Sequence, residues 1–302
     1  MKEQAERGNK KGDASAVASA PPRFSTEESA WIFLEEVDST NSYLARENHP
    51  SGTLVLAQRQ TAGRGRGKRS WKAKESAGFI FSGVLSFSRD MLDRGKLTLL
   101  PLLAGIATLA AARRARLLYS TRTPSPEFFI KWPNDVYLVD PVASSGESAG
   151  SSEKPVGSSG KSAGSSGKLA GVLVESTAAE KEVRAIIGIG LNWKHPGGPA
   201  EDYSVSPAAL FADEEDVPEP RALTPLLVEE FNRRVPELFL AEEAGFLAEI
   251  REVLYGRGSL AQAAGEEVRV LELNSDGGLL VRNSASGEKK VLHDVPADWK
   301  VL

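Results

Sequence analysis

An α+β fold is what this chain predicts: a mixed β-sheet with helices packed on it, followed by a small β-barrel. Three observations carry that expectation. Strand-like segments outnumber helical ones and do not alternate with them strictly, which argues against a doubly wound parallel sheet. One long apolar stretch, Leu97 to Ala112, contains Thr98, Pro101 and Thr108 and stops at Arg113 and Arg114. Crossing a bilayer takes about 20 mostly apolar residues, so this stretch reads as a buried helix. From about Gly256 onward the texture changes to short strands separated by turn sequences.

Residues 1–24 carry basic side chains with no apolar core to the segment and pass through Pro21 and Pro22, which predicts a disordered tail and no secretory signal. Trp31 to Val37 reads as a strand, and Asp38, Ser39 and Thr40 offer N-cap chemistry for a helix over Asn41 to Glu47. Thr53 to Gln58 and Phe79 to Phe87 are further strands, rich in β-formers. Phe128 to Trp132 and Val136 to Val139 flank a Pro-Asn-Asp turn. Gly171 to Glu175 and Val183 to Leu191 read as strands, Pro225 to Ala241 and Phe246 to Leu254 as helices. Residues 25–255 would then form one domain, with Glu267 to Leu273, Gly278 to Arg282 and Lys289 to Leu292 building the barrel over 256–302.

Inside the larger domain, Ser144 to Gly171 parses into four sevens: SSGESAG, SSEKPVG, SSGKSAG and SSGKLAG. Units so rich in Ser, Gly and Ala bury too little to offset their ordering entropy. They predict a flexible insertion at about 142–167. The fourth differs, because Leu169 leads straight into the apolar run GVLVE.

At 302 residues with 41% hydrophobic and 26% charged side chains, the chain has the composition of a globular protein with a sizeable core. A net charge of -4 and a pI near 5.7 give no bulk reason for a nucleic-acid or membrane partner. The absence of cysteine removes thiolate nucleophiles, disulfides and cysteine-ligated metal centres, and suits a reducing cytoplasm. His49, His195 and His293 lack metal-ligand spacing, and no metal site is expected. Nor is there a nucleophile elbow or a P-loop.

Gly63 to Trp71 concentrates four cations in nine residues. Glycines between arginines leave room for backbone N–H groups to approach an anion while guanidiniums clamp its oxygens, which suits a polyphosphate or a carboxylate. A solvated loop or an RNA-binding tract would share that composition. Lys131 to Asp135 is adequate turn chemistry and equally a way to fix Lys131 and Asp135 beside a site. Ser39, Thr40 and Asn41 serve as a helix start or as hydroxyl and amide contacts for a polar ligand.

In order, DSTN at 38–41, QTAGRGR at 60–66 with Trp71, KWPND at 131–135, KLAGVLVE at 168–175 and GIGLNW at 188–193 resemble the biotin–protein ligases, from about Trp31 to Leu254. The C-terminal segment is similar to the SH3-like domain that ends those enzymes. The resemblance implies a catalytic domain related to class II aminoacyl-tRNA synthetases. It also implies two steps: biotin and MgATP give biotinyl-5′-AMP, and a lysine of a biotin carboxyl carrier domain takes the biotinyl group. Biotin and ATP with Mg²⁺ would be substrates, with no tightly bound prosthetic group. By motif, Ser39, Thr40, Asn41 and Gln60 fall at the biotin head, Arg64, Gly65 and Arg66 in a loop closing over carboxylate and phosphate, and Lys168 between the two. Lys131, Asn134, Gly190, Asn192 and Trp71 fall on the nucleotide side, and Asp135 would orient the incoming amine. Lys168, Arg64, Arg66 and Asp135 are the implied catalytic set.

Two departures stand out. The family loop GRGRxGRxW has Gly67 and Lys68 here at its x and G positions, and the insertion before Lys168 is far longer than the family's usual few residues. The tail is too short and polar for a helix-turn-helix domain, so a monofunctional enzyme that does not bind DNA or membranes is expected, in the cytoplasm, with homodimerisation left open. Lipoate attachment on the same scaffold, a Gly/Arg-loop nucleic-acid-binding protein and a catalytically dead carrier-binding relative are the competing readings.

The repeat gives a first test. Lys161 shares the phase of Lys168 but is followed by more Ser and Gly, whereas Lys168 precedes an apolar strand that can hold it in place. Lys161→Ala should leave biotin-dependent adenylation unchanged and Lys168→Ala should remove most of it, as measured by pyrophosphate–ATP exchange. The opposite result would put the working lysine in the other repeat.

Overall fold

The computed structural model describes residues 21–67, 69–73, 77–123, 125–140, 167–196, 205–212, 214–240 and 244–302. The first 20 residues of the tail, Lys68 and nearly all of the repeat insertion lie outside them.

Seven strands form a mixed sheet: β1 (Trp31–Val37), β2 (Leu54–Gln60), β3 (Gly78–Ser88), β4 (Glu127–Lys131), β5 (Asp135–Val139), β6 (Gly167–Ala178) and β7 (Glu182–Asn192). Their order is β1-β2-β3-β7-β6-β5-β4. Only β1 and β2 run parallel; every other neighbouring pair is antiparallel. The spine is β3 against β7, paired from Gly78↔Asn192 to Ser88↔Glu182.

Alternation along these strands divides the sheet's faces. Val55, Val84 and Ile186 point to one side and pack with Leu44 of α1 (Thr40–Arg46). Leu54, Leu85 and Ile187 point to the other, into the main core beneath α3 (Leu100–Tyr119). Helix α3 is backed by α4 (Leu223–Arg234) and α5 (Gly245–Glu252). Arg113 and Arg114 do not end α3, as the apolar stretch alone suggested. The helix runs to Tyr119, with Arg114 paired to Glu229 and Glu230 of α4. Lys96–Tyr119 is long and apolar enough to cross a membrane, yet 72% of its apolar window is buried in the fold, as a core helix requires. A one-turn helix, α2 (Arg89–Asp93), follows β3 and had no sequence signal of its own.

The C-terminal unit is a five-stranded antiparallel sheet in the order β11-β10-β9-β8-β12. It comprises β8 (Leu260–Ala263), β9 (Glu266–Leu273), β10 (Leu279–Asn283), β11 (Lys289–Leu292) and β12 (Lys300–Val301). Strands β8 and β12 add to the three that turn spacing predicts; each is too short to show a periodicity. Val268, Val270 and Leu279 join the same apolar cluster as α3, so the two sheets share one continuous core. Trp132 Nε1 donates to the Gly277 carbonyl at 3.0 Å, and Tyr255 N–H to Ile130 O at 2.9 Å, stitching the β4–β5 hairpin to this unit.

The tail boundary at residue 24 is corrected by the structure. Phe24 is 2% exposed, its ring centroid 4.5 Å from Phe231 and 5.7 Å from Phe81. The Asn232 side chain accepts from its N–H and donates to its carbonyl, both at 2.9 Å. A proline-rich flank hid an apolar plug. A Cβ on Gly83 would stand 2.4 Å from the Phe24 ring, so the plug fits only over a bare strand. Phe24→Ala should therefore cost about 3–5 kcal/mol and lower the melting temperature by roughly 10 °C. A thermal melt unchanged within a degree would mean the aromatic ring is dispensable.

Candidate active site

Beyond the end of α1, the face of the sheet that this helix covers is bare. The strand residues there are Gly171 of β6 and Gly188 and Gly190 of β7, with Gly171 opposite Gly190 and Ser82 of β3 opposite Gly188. They floor a cleft of about 400 Å³ whose walls include Ser39, Thr40, Asn41, Gln60, Arg64 and Lys168. Gly65, Arg66, Trp71, Asn134, Asp135 and Asn192 also border it. Segments far apart in sequence thus converge on one hollow.

At one end, Ser39 caps α1 by accepting from the Ser42 N–H, which turns Thr40 and Asn41 onto the sheet. Gln60 Oε1 accepts from the Thr40 N–H at 2.8 Å, and Ser82 Oγ lies 2.7 Å from Thr40 Oγ1 and 2.6 Å from Asn41 Oδ1. Asn41 lies flat on Gly188, where a Cβ would come within 2.3 Å of its Oδ1. The result is a buried polar pocket with its hydroxyls and amides held in fixed orientations.

The Gly/Arg segment is a closed hairpin. Gly65 N–H donates to Arg69 O at 2.8 Å and Trp71 N–H to Gly63 O at 2.9 Å, while Arg64 bridges Ser70. The sequence pattern suggested glycines freeing N–H groups for an anion. Here Gly65 spends its N–H within the loop, and Gly63 is bare because a Cβ would meet the Trp71 carbonyl at 2.4 Å. Gly65 therefore has no N–H to offer an anion. Trp71 rests on Gly190, where a Cβ would fall 2.3 Å from its indole, and its buried Nε1–H has no partner among the described residues.

Lys168 lies inside β6, one residue into the strand. Its N–H donates to Ser206 O and its carbonyl accepts from Ala208 N–H, both at 2.9 Å, and the Asn192 amide reaches both the Lys168 and Ala208 carbonyls. Its Nζ is 2.7 Å from Asp135 and 5.8 Å from the centre of the Trp71 ring. Three of the cations bordering the cleft have a carboxylate: Arg64 pairs with Glu175 at 2.7 Å, Arg66 with Asp294 at 2.8 Å, Lys168 with Asp135. Arg66 also reaches Asn134 Oδ1, whose amide donates to Val172 O at 2.7 Å.

Lys131 is the one predicted site residue that the structure does not bring to the cleft wall. Its Nζ donates to the Tyr137 hydroxyl at 2.9 Å, and burial lowers its pKa and raises that of Tyr137. Ser82 and Glu175 were missed from sequence. The signals were a hydroxyl in the middle of an apolar strand and a charge closing one. The wall formed by Val205 and Pro207 had no readable pattern. Among the described residues no group of three or more His, Asp or Glu could hold a metal.

A family model described as Biotin/lipoate A/B protein ligase family matches residues 33–192. The chain is 34% identical over 160 residues to the bifunctional ligase/repressor BirA of Bacillus subtilis, covering 53% of this chain and 38% of that one. It is 36% identical over 130 residues to the biotin–[acetyl-CoA-carboxylase] ligase of Mycobacterium tuberculosis, 40% of this chain and 44% of the other. The chain thus spans less than half the length of these relatives. In structure it is similar to the biotin protein ligase from Aquifex aeolicus in complex with biotin and ATP, with a TM-score of 0.65 at 23% identity over 90% of this chain and 98% of that one.

Asp38, just before the Ser39 cap of α1, yields a pH test. Its bonds to the Arg46 guanidinium and then to the Ser39 N–H lower its pKa to about 2. A depressed carboxylate supports the fold above its ordinary value of about 3.9 and loses that support as pH falls through its folded value. A carboxyl NMR titration should find a midpoint near 2 for Asp38, returning toward about 4 in Arg46→Ala. An ordinary midpoint in the unmodified protein would dissolve the clamp.

Proposed function

The chain belongs to the biotin/lipoate A/B protein ligase family, and from that premise we propose that it attaches biotin to a lysine of a biotin carboxyl carrier domain in two ATP-dependent steps. The observation that carries this reading is the cleft itself, in which Arg64, Arg66 and a rigidly held Lys168 border one glycine floor beside a buried polar pocket.

In the first step a biotin carboxylate oxygen attacks the α-phosphorus of ATP and pyrophosphate departs. Two anions must meet, and without nearby cations their repulsion would dominate the barrier. Lys168 is suited to bridge the carboxylate and the α-phosphate, because its backbone N–H and carbonyl are both bonded to the 206–208 segment and its ammonium needs little reorganisation. Arg64, Gly65 and Arg66 form the loop over the reacting groups. Ser39, Thr40, Asn41 and Gln60 supply the donors and acceptors that a cyclic urea demands. Asn134, Trp71, Gly190 and Asn192 border the nucleotide side, and Mg²⁺ enters with the ATP phosphates.

In the second step the carrier's lysine amine attacks the acyl carbon, AMP leaves with the phosphate oxygen, and the amine gives up a proton. Asp135 is the carboxylate placed to orient that amine, once Lys168 has turned to the acyl phosphate. The same reading assigns the enzyme to the cytoplasm, with the carrier domain as its protein partner and no duplex DNA.

The test is biotin-dependent pyrophosphate–ATP exchange with Mg²⁺ and no carrier, followed by transfer to a carrier domain, with lipoate as a parallel substrate. Exchange with biotin is expected. Exchange with lipoate alone would reassign the substrate, and exchange with neither, by folded protein, would remove the ligase reading.

A further inference from the structure

Glu175 closes the apolar run of β6 and stands outside the set of residues that line the cleft, yet it touches two that do. Its Oε2 accepts from Arg64 Nη2 at 2.7 Å and from Asn41 Nδ2 at 2.9 Å. One oxygen thus ties the Gly/Arg hairpin to α1, the two walls between which a ligand must enter.

The two bonds differ in kind. Asn41 is 3% exposed and its other amide atom is held at Ser82, so its orientation is fixed. The Arg64 and Glu175 side chains are 44% and 36% exposed, and an ion pair so open to water is held weakly. The Arg64 backbone is anchored by its bridge to Ser70, so the guanidinium can swing while the hairpin stays closed.

We propose that Glu175 is a positioning residue: it is the resting counter-ion of Arg64, fixes the Asn41 amide, and yields Arg64 to the carboxylate of the incoming acid. This rests on the reading of the cleft as a carboxylic-acid-activating site. Empty, the cleft holds its arginine at the rim with its charge matched. Filled, a second carboxylate takes that arginine, and Glu175 keeps only the amide.

Glu175→Gln separates the roles, since glutamine still accepts from Asn41 but carries no charge. In ligand-free protein, labelling of the Arg64 guanidinium by phenylglyoxal, located by mass spectrometry, should quicken about two- to fivefold, the range set by half-exposed ion pairs. Biotin should bind tighter by a similar factor, while biotin methyl ester, which has no carboxylate to compete, should bind unchanged. Glu175→Ala should weaken both ligands through the loosened Asn41, with glutamine restoring the ester. An unaltered labelling rate at Arg64, or an equal gain for the ester, would overturn the proposal. If the unmodified protein bound neither ligand, the biotin reading would fall, and the labelling rates would still decide whether Glu175 restrains Arg64.

Discussion

The site depends on a strip of sheet without side chains. Where β6 and β7 pair through Gly171, Gly188 and Gly190, the backbone surface lies open, and Asn41 and Trp71 settle on it at distances that a single methyl group would forbid. That close approach sets the depth of the cleft, and it brings the indole under the Lys168 ammonium. An ordinary β-branched pair at these positions would make a better sheet and no cleft. The local weakness is tolerable because the same strands are long and because β7 is clasped on its other side by the whole length of β3.

On that floor the electrostatics are arranged in balanced pairs. Three cations drawn together with nothing to oppose them would repel one another and loosen the loop that carries two of them. Each instead has a carboxylate from a different element: β6 for Arg64, the start of β5 for Lys168, and the segment after β11 for Arg66. The partly exposed pairs are weak, and a weak pair is the kind that an incoming anion can replace. Lys168 differs, since its backbone N–H and carbonyl are both bonded to the 206–208 segment beside the strand. Position is thus rigid while charge remains exchangeable.

How much of this was legible beforehand follows from what patterns record. Strands β1, β3 and β7 announced themselves within a residue or two, because their alternation and β-formers are local properties. The cleft residues 39–41, 60, 64–66, 168, 190 and 192 could be found because each falls in a short motif, although a motif carries no distances. Phe24 was lost behind two prolines, since burial by a partner 208 residues away leaves no trace nearby. Lys131 ranks below its motif neighbours as a ligand contact from sequence, and in the fold its ammonium goes to the Tyr137 hydroxyl instead of the cleft. Glu175 ended an apolar run and could have been any solvated strand terminus. The role of the loop glycines was misread for the same reason: composition says that a backbone is free, and only the fold says what uses the freedom.

The β4–β5 turn carries Asn134 and Asp135 on one side and holds the second sheet on the other. Trp132 grips the Gly277 carbonyl, and Gly277 in turn sits so close to Leu99 that a Cβ there would stand 2.7 Å from it. With apolar residues of both sheets in one cluster, neither can detach without opening the core of the other. The described part of the molecule therefore melts as one cooperative unit and not as two beads on a string. Heat that frees the C-terminal sheet also slackens the turn that brings Asn134 and Asp135 to the cleft.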